Sequence, residues 1–193
     1  MTSKAVFPVS GFPKDAVVLD MSRGPLKSIP TYAIGKYLEK RPGVYETALF
    51  QSQEGNRNIH MGIDLFAPAG TEVLAFAPGK IFLQDYNSAS GDYGYTLITQ
   101  HLWDGQTLYV LWGHLAKASI QVRKVGQSFQ AGEVLGWIGR PDENGGWDFP
   151  HLHFQVSTQA PERCDMLGAV SDDQLEKAKQ IYLDPRKLLG AVY

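Results

Sequence analysis

Residues 93–115, YGYTLITQHLWDGQTLYVLWGHL, read as two runs of β-branched, aromatic and aliphatic residues joined at Asp104-Gly105. An Asp-Gly pair between two such runs is a hairpin signal, because both residues take up the left-handed backbone of a tight turn whose twist matches the flanking strands. The same texture continues on either side. Upstream, FAPAGTEVLAFAPGKIFLQDY carries turns at Pro68-Ala69-Gly70 and Pro78-Gly79; downstream, VGQSFQAGEVLGWIG carries one at Ala131-Gly132. Short apolar runs with turns at strand-length intervals predict a mainly β chain, a single-domain antiparallel sheet with barrel-like character.

The flanks differ in texture. Residues 1–50 are rich in Pro and Gly and weakly periodic, which predicts an irregular N-terminal extension packing on the core. Within it, IPTYAIGKYLEKRPG predicts a short helix ending near Arg41-Pro42. Residues 51–160 hold the β-domain. Residues 161–193 form a C-terminal helical segment: SDDQLEKAKQIYLDPRKLL reads as a helix with Ser171 as N-cap and a break at Pro185.

Bulk properties narrow the function classes. A chain of 193 residues with 44% hydrophobic and 20% charged residues suits one soluble globular domain. A formal net charge of -2 and the lack of any Lys/Arg block give no field for nucleic acid. Cys164 is the only cysteine, so no intrachain disulfide forms, which suits a reducing compartment. MTSKAVFPVSGFPKDAVVLDM has no apolar h-region, and no run approaches the ~20 apolar residues of a membrane span. The expectation is a cytoplasmic protein without membrane insertion. Oligomeric state has no signature in the sequence.

The five histidines are His60, His101, His114, His151 and His153, and each falls at or near the end of an expected strand. In PHLHFQV, strand geometry projects His151 and His153 to one side and Leu152 and Phe154 to the other. In HMGIDLF, a strand would place His60, Gly62 and Asp64 on one face, with the glycine leaving room for an ion and its water. Imidazole nitrogen and carboxylate oxygen are both good zinc ligands. His114 closes the apolar run LYVLWGHL. Each element also has a structural reading: a His-Asp surface pair, a histidine capping a core strand, two histidines on a half-buried strand. Together they offer one carboxylate and four imidazoles, enough for three ligands and two spare histidines.

The order His-x-x-x-Asp, then a strand-terminal GHL, then HLHF resembles the lysostaphin/LytM-type zinc metallopeptidases. HMGIDLFAPAGTEVLAFAPGKI, YGYTLITQH, VGQSFQAGEVLGWIG and PHLHFQV carry the likeness over roughly residues 57–157, about half the chain. The resemblance implies a lysostaphin-type β fold with a lipoyl-like hybrid motif and one Zn2+ per chain. The metal would be held by His60, Asp64 and His153, with His114 and His151 as catalytic histidines and His101 outside the metal shell. It also implies a metallo-endopeptidase acting on peptide or muropeptide substrates, on Gly- or D-amino-acid-containing bonds of peptidoglycan type, through an activated water. NGGWDFPHLHFQ and DPRKLL resemble family modules of cytosolic multidomain proteins, which widens the substrate to recycled muropeptides, small peptides or amides.

Two other classes stand beside the enzyme. VRKVGQSFQAGEVLGWIG also resembles the half-motifs of lipoyl- and biotin-carrier domains, but no lysine sits at a hairpin tip between them. A non-catalytic relative acting as an interaction or activator module usually lacks a metal-site residue, and all five are present. Around the site, Arg57 is either a contact for a substrate carboxylate or an ordinary surface arginine. Trp112, Trp147 and Phe149 are either groove residues or buried aromatics, and Asn56 and Asn58 are candidates for a fourth ligand supplied from the N-terminal side.

Overall fold

The Asp104-Gly105 turn is the hairpin tip that the sequence predicts: Asp104 and Gly105 have φ of 49° and 79°, and Trp103 faces Gln106 across it. The computed structural model describes residues 5–51 and 55–193, so the first four residues of the extension and residues 52–54 lie outside the described part. Its strands in chain order begin with β1 (Val17–Val18), β2 (Ala33–Gly35), β3 (Ile59–His60), β4 (Ile63–Phe66) and β5 (Glu72–Leu74). The hairpin strands follow as β6 (Gly79–Asn87), β7 (Gly94–Trp103) and β8 (Gln106–Leu115). The remainder are β9 (Ser128–Phe129), β10 (Val134–Trp137), β11 (His151–Ser157), β12 (Ala169–Val170) and β13 (Tyr182–Leu183). Among the described residues there are also three short α-helices, α1 (Lys117–Val122), α2 (Leu175–Ile181) and α3 (Arg186–Leu189), and one 3-10 turn at Ala48–Phe50.

The main sheet runs β1-β2-β4-β11-β8-β7-β6-β9, with β13 also pairing on β11. Within it only β1 and β2 run parallel. Two smaller antiparallel pairs, β5 with β10 and β3 with β12, flank it. The mainly β, antiparallel architecture expected from the sequence is the one found. Strand β11 sits at the centre, between β4 and β8, and its residues from His151 to Ser157 are buried throughout. One of its faces enters the principal core: Leu152, Phe154 and Val156 pack with Leu65, Phe76 and Trp112. Burial of such side chains stabilises by about 1.5–3 kcal/mol each, so the strand is held from behind by its apolar residues while its histidines face the other way.

Three local expectations are corrected. Residues 29–43 form no helix. Ala33 and Ile34 are buried and pair with Phe66 and Leu65, so sheet pairing outweighs the helix propensity of this segment. The first motif is not one continuous strand: β3 pairs with β12, the chain breaks at Met61-Gly62, and β4 pairs with β11. Ser171 does not cap α2. The helix starts three residues later behind Gln174, whose N–H bonds the Ser171 carbonyl, and the Ser171 hydroxyl is buried without a partner. The break at Pro185 is present, with β13 and α3 after α2 in place of one long helix.

Candidate metal centre

Register places the first contact. His153 lies directly opposite Asp64 on β4 and opposite Gly113 on β8, while His151 lies opposite Phe66. His60 reaches the same point from β3. Its Nε2 is 3.1 Å from His153 Nδ1 and 3.2 Å from Asp64 Oδ1, and His153 Nδ1 is 3.0 Å from Asp64 Oδ1. Gly62 makes this approach possible, although by a different route from the one the sequence suggests. A Cβ there would stand 2.7 Å from His153 Cε1 and Nε2, so the space is filled by the imidazole itself.

The far side of each ring fixes its tautomer. His60 Nδ1 lies 2.9 Å from the Lys36 carbonyl, and a carbonyl only accepts, so Nδ1 carries the hydrogen and Nε2 presents a lone pair. His153 Nε2 lies 2.9 Å from Gln155 Oε1, whose amide nitrogen is committed to the Leu167 carbonyl, so Nδ1 presents the lone pair. Two imidazole lone pairs and one carboxylate oxygen therefore face one another at 3.0–3.2 Å, at residues that are at most 4% exposed. Three electron donors of this kind repel unless a cation lies among them. Tetrahedral zinc with bonds of about 2.0–2.1 Å needs donor separations of about 3.3 Å. The residues fit that ion, and His60, Asp64 and His153 are also the only such trio of potential ligands among the described residues.

His114 and His151 stand beside the trio without joining it. Their rings are 4.4 Å apart, centre to centre, and His151 Nε2 is 3.9 Å from Asp64 Oδ1. His114 Nδ1–H donates to the Asn144 carbonyl at 2.7 Å and His151 Nδ1–H to the Phe149 carbonyl at 2.7 Å, which leaves each Nε2 a proton acceptor. His114 has a φ of 64°, which is rare for a residue with a side chain. It sits where two β8 residues oppose one on β7, a bulge of the kind that re-aims a side chain, and its N–H bonds the Tyr93 carbonyl at 2.7 Å.

Burial sets the charge states. It pushes His114 well below the ordinary imidazole value, helped by the neighbouring His151, and lowers His151 as well. His60 is driven down to about 4 by burial and then by the adjacent Arg41 guanidinium. Burial works to raise the Asp64 carboxyl, and His60 and Arg41 overcome it, holding Asp64 well below the usual carboxylate range. At neutral pH His60, His114 and His151 are thus neutral imidazoles beside the ionised Asp64 carboxylate.

These side chains floor a cleft of about 260 Å³ whose walls include Tyr45, Arg57, Trp147 and Phe149. Arg57 stacks its guanidinium 5.2 Å from the Phe50 ring centre and leaves a buried Nε without a partner. Trp112 is in the core instead, its indole N–H on Thr99 Oγ1. Asn56 and Asn58 do not line the cleft. His101 stands apart from the cleft, with Nδ1–H on the Pro78 carbonyl and Nε2 beside Thr99 Oγ1. Sequence reasoning missed Arg41, which binds Asp64, and Gln155, which orients His153. Gln155 had a signal, being two residues from His153 on the same strand face. Arg41 had none.

Comparison with known proteins places these residues in a wider group. Residues 58–165 match the profile of peptidase family M23. Lysostaphin of Staphylococcus staphylolyticus is 37% identical over 101 residues, 52% of this chain and 19% of that protein. The DD-carboxypeptidase/endopeptidase Mpg of Neisseria meningitidis serogroup B is 34% identical over 98 residues, 51% of this chain and 20% of that protein. The chain thus spans about a fifth of the length of these relatives. The catalytic domain of the antimicrobial peptidase lysostaphin from Staphylococcus simulans superposes with a TM-score of 0.51 at 22% identity, covering 83% of this chain and 93% of that one, a likeness of fold.

Proposed function

The chain belongs to peptidase family M23, and on that premise we propose that it is a zinc-dependent metallo-endopeptidase acting on short Gly- or D-amino-acid-containing peptides of peptidoglycan type. The observation that carries the reading is the convergence of His60 Nε2, Asp64 Oδ1 and His153 Nδ1 at 3.0–3.2 Å, each with its hydrogen turned outward or absent. Two further relatives, a glycyl-glycine endopeptidase of Staphylococcus capitis and a peptidoglycan DD-endopeptidase of Vibrio cholerae, support the substrate class by their names.

In this reading His60, Asp64 and His153 hold the ion, which when bound supplies Lewis acidity toward a peptide carbonyl and makes a water a stronger acid. The remaining work belongs to the protein. The Nε2 atoms of His114 and His151 face the cleft as free bases, and one of them accepts the proton that the attacking water gives up. The same ring then returns it to the departing amine nitrogen, so the peptide bond is hydrolysed without a covalent enzyme intermediate. The Asn144 and Phe149 carbonyls keep both rings in the tautomer this needs and stabilise the imidazolium while it lasts. Trp147, 5.9 Å from His114 and 6.0 Å from His151 between ring centres, screens the two bases from bulk water.

Metal analysis tests the assignment. The purified protein should carry about one zinc per chain; His153→Ala should lose metal and activity, and His114→Ala should keep metal and lose turnover by about 100-fold or more. Amine release from peptidoglycan fragments and glycyl peptides identifies the substrate. A wild-type protein that takes up no zinc when zinc is supplied sinks the proposal.

A further inference from the structure

We infer that Arg41, contributed by the N-terminal extension, is a positioning residue of the metal centre that holds Asp64 to a single ligating oxygen. The inference rests on the zinc reading above. Its basis is the other half of the carboxylate. While Oδ1 faces His60 and His153, Oδ2 accepts a hydrogen bond from Arg41 Nη1 at 2.7 Å, closer than either imidazole contact to Oδ1. That charge-assisted bond draws electron density from Oδ2 and fixes the plane of the carboxylate, which leaves Oδ1 the better donor to an ion.

Arg41 is itself immobilised. It is 2% exposed, its Nε–H donates to Glu39 Oε2 at 3.0 Å, and Nη2 donates to the Lys36 carbonyl at 3.3 Å. Glu39 is tied in turn, with Oε1 accepting from the Met21 N–H at 3.0 Å and lying 3.0 Å from the Lys36 ammonium. The main chain makes room for this assembly. A Cβ on Gly35 would stand 2.6 Å from Arg41 Nη2 and 2.9 Å from Asp64 Oδ2. A buried cation beside a dication site is costly on its own; Glu39 offsets the charge, which leaves geometry as the gain. With Asp64 held to one oxygen, the coordination position that substrate needs stays open. The Lys36 carbonyl that orients His60 comes from the same segment, so the extension braces two of the three ligands.

The same Nη1 also donates to the Tyr45 hydroxyl at 3.1 Å, and Tyr45 lines the cleft. Its oxygen is occupied as an acceptor, so its hydrogen is left to point elsewhere. Four of the five Arg41 N–H groups are thus engaged within the protein, and through them the residue acts on its neighbours.

Cobalt(II) loaded in place of zinc reads the coordination number through its visible bands, which are strong when four-coordinate and weaker when five-coordinate. Wild-type protein should give the strong spectrum. An Arg41→Gln/Glu39→Gln double variant removes both buried charges together and should weaken the bands several-fold, with kcat falling about 10- to 100-fold and KM little changed. Loss of cobalt uptake with the metal-free melting temperature unchanged supports the inference equally. An unchanged spectrum overturns it, whatever happens to stability, because a merely structural arginine would not alter the ligand count. Should the double variant fail to fold, Arg41→Lys, which keeps the charge but reaches only one carboxylate, is read in the same way and should retain part of the wild-type spectrum. A wild-type protein that takes up no cobalt sinks the zinc reading beneath the inference; wild-type uptake with identical variant bands sinks the inference alone.

Discussion

A single methyl group separates this site from one that cannot close. Gly62 has an ordinary backbone, so alanine there meets no torsional objection; the difficulty is contact, with a Cβ 2.7 Å from two atoms of the His153 ring and 2.8 Å from the Phe154 carbonyl. The carbonyl is anchored in the central strand, whereas the ring can swing, and so the ring yields. Gly62→Ala is therefore expected to displace His153 and to weaken zinc binding by at least about 10-fold, at a stability cost of about 1–3 kcal/mol. Zinc titration beside thermal melting of the metal-free protein separates the two effects, and wild-type affinity in the variant would refute the steric account. The sequence shows a glycine between His60 and Asp64 and suggests that it clears room for an ion. What it cannot show is that residue 153, far along the chain, occupies that room. The candidate ligands were legible as residue types: His-x-His lies on one strand, whereas His60 and Asp64 stand on two strands separated at Met61-Gly62; of the groups that orient them, the Lys36 carbonyl has no residue type to betray it, and Arg41 comes from a segment distant in sequence.

At the scale of elements, legibility follows how local the cause is. The β7–β8 hairpin could be read because Asp104-Gly105 carries its own turn chemistry. Strand β2 could not, because Ala33–Gly35 becomes extended by pairing with β1 and with β4, the latter some thirty residues away. Ser171 looked like a cap because its type suits one, but the backbone between Ser171 and Gln174 turns before the helix begins. His101 shows what a histidine does when it serves elements and not chemistry. Its ring bonds the Pro78 carbonyl at the start of β6, over a glycine whose Cβ would stand 2.8 Å from Nδ1, and its Nε2 accepts from Thr99, whose oxygen also receives the Trp112 indole. Burial pushes its pKa down to about 4. Since the unfolded chain protonates near 6.5, the unfolded state holds more protons between these values, and stability falls as pH drops from about 6.5 to about 4. The full contribution is about 3 kcal/mol. Denaturant unfolding of wild type and His101→Gln at pH 7 and pH 4.5 should show the gap between them narrowing by about 2 kcal/mol or more at the lower pH. A gap independent of pH would show that His101 is not held neutral.

For the whole molecule, the site is a meeting point of segments that are far apart in sequence. On the proposed reading, residues 36–41 brace the ligands, β3 and β4 supply two of them, β8 and the Asn144 loop hold one base, and β11 supplies the third ligand with the other base. Nothing in this assembly survives if the chain unfolds, so an ion bound here binds the native state alone and must stabilise it by mass action. On the proposed reading, zinc free at about 100 times its dissociation constant adds about 2.7 kcal/mol, which for a domain of this size raises the melting temperature by roughly 5–10 °C. Chelation should reverse the shift. His153→Ala, which removes a donor at the sheet's centre, should melt at the same temperature with and without zinc, while His114→Ala should keep the full rise because its ring stands outside the trio. The contrast between these variants carries the test. A rise that persists in His153→Ala would place the ion elsewhere on the surface, and one that disappears in His114→Ala would make that histidine a ligand and overturn the division between the residues that hold the ion and those that move the proton.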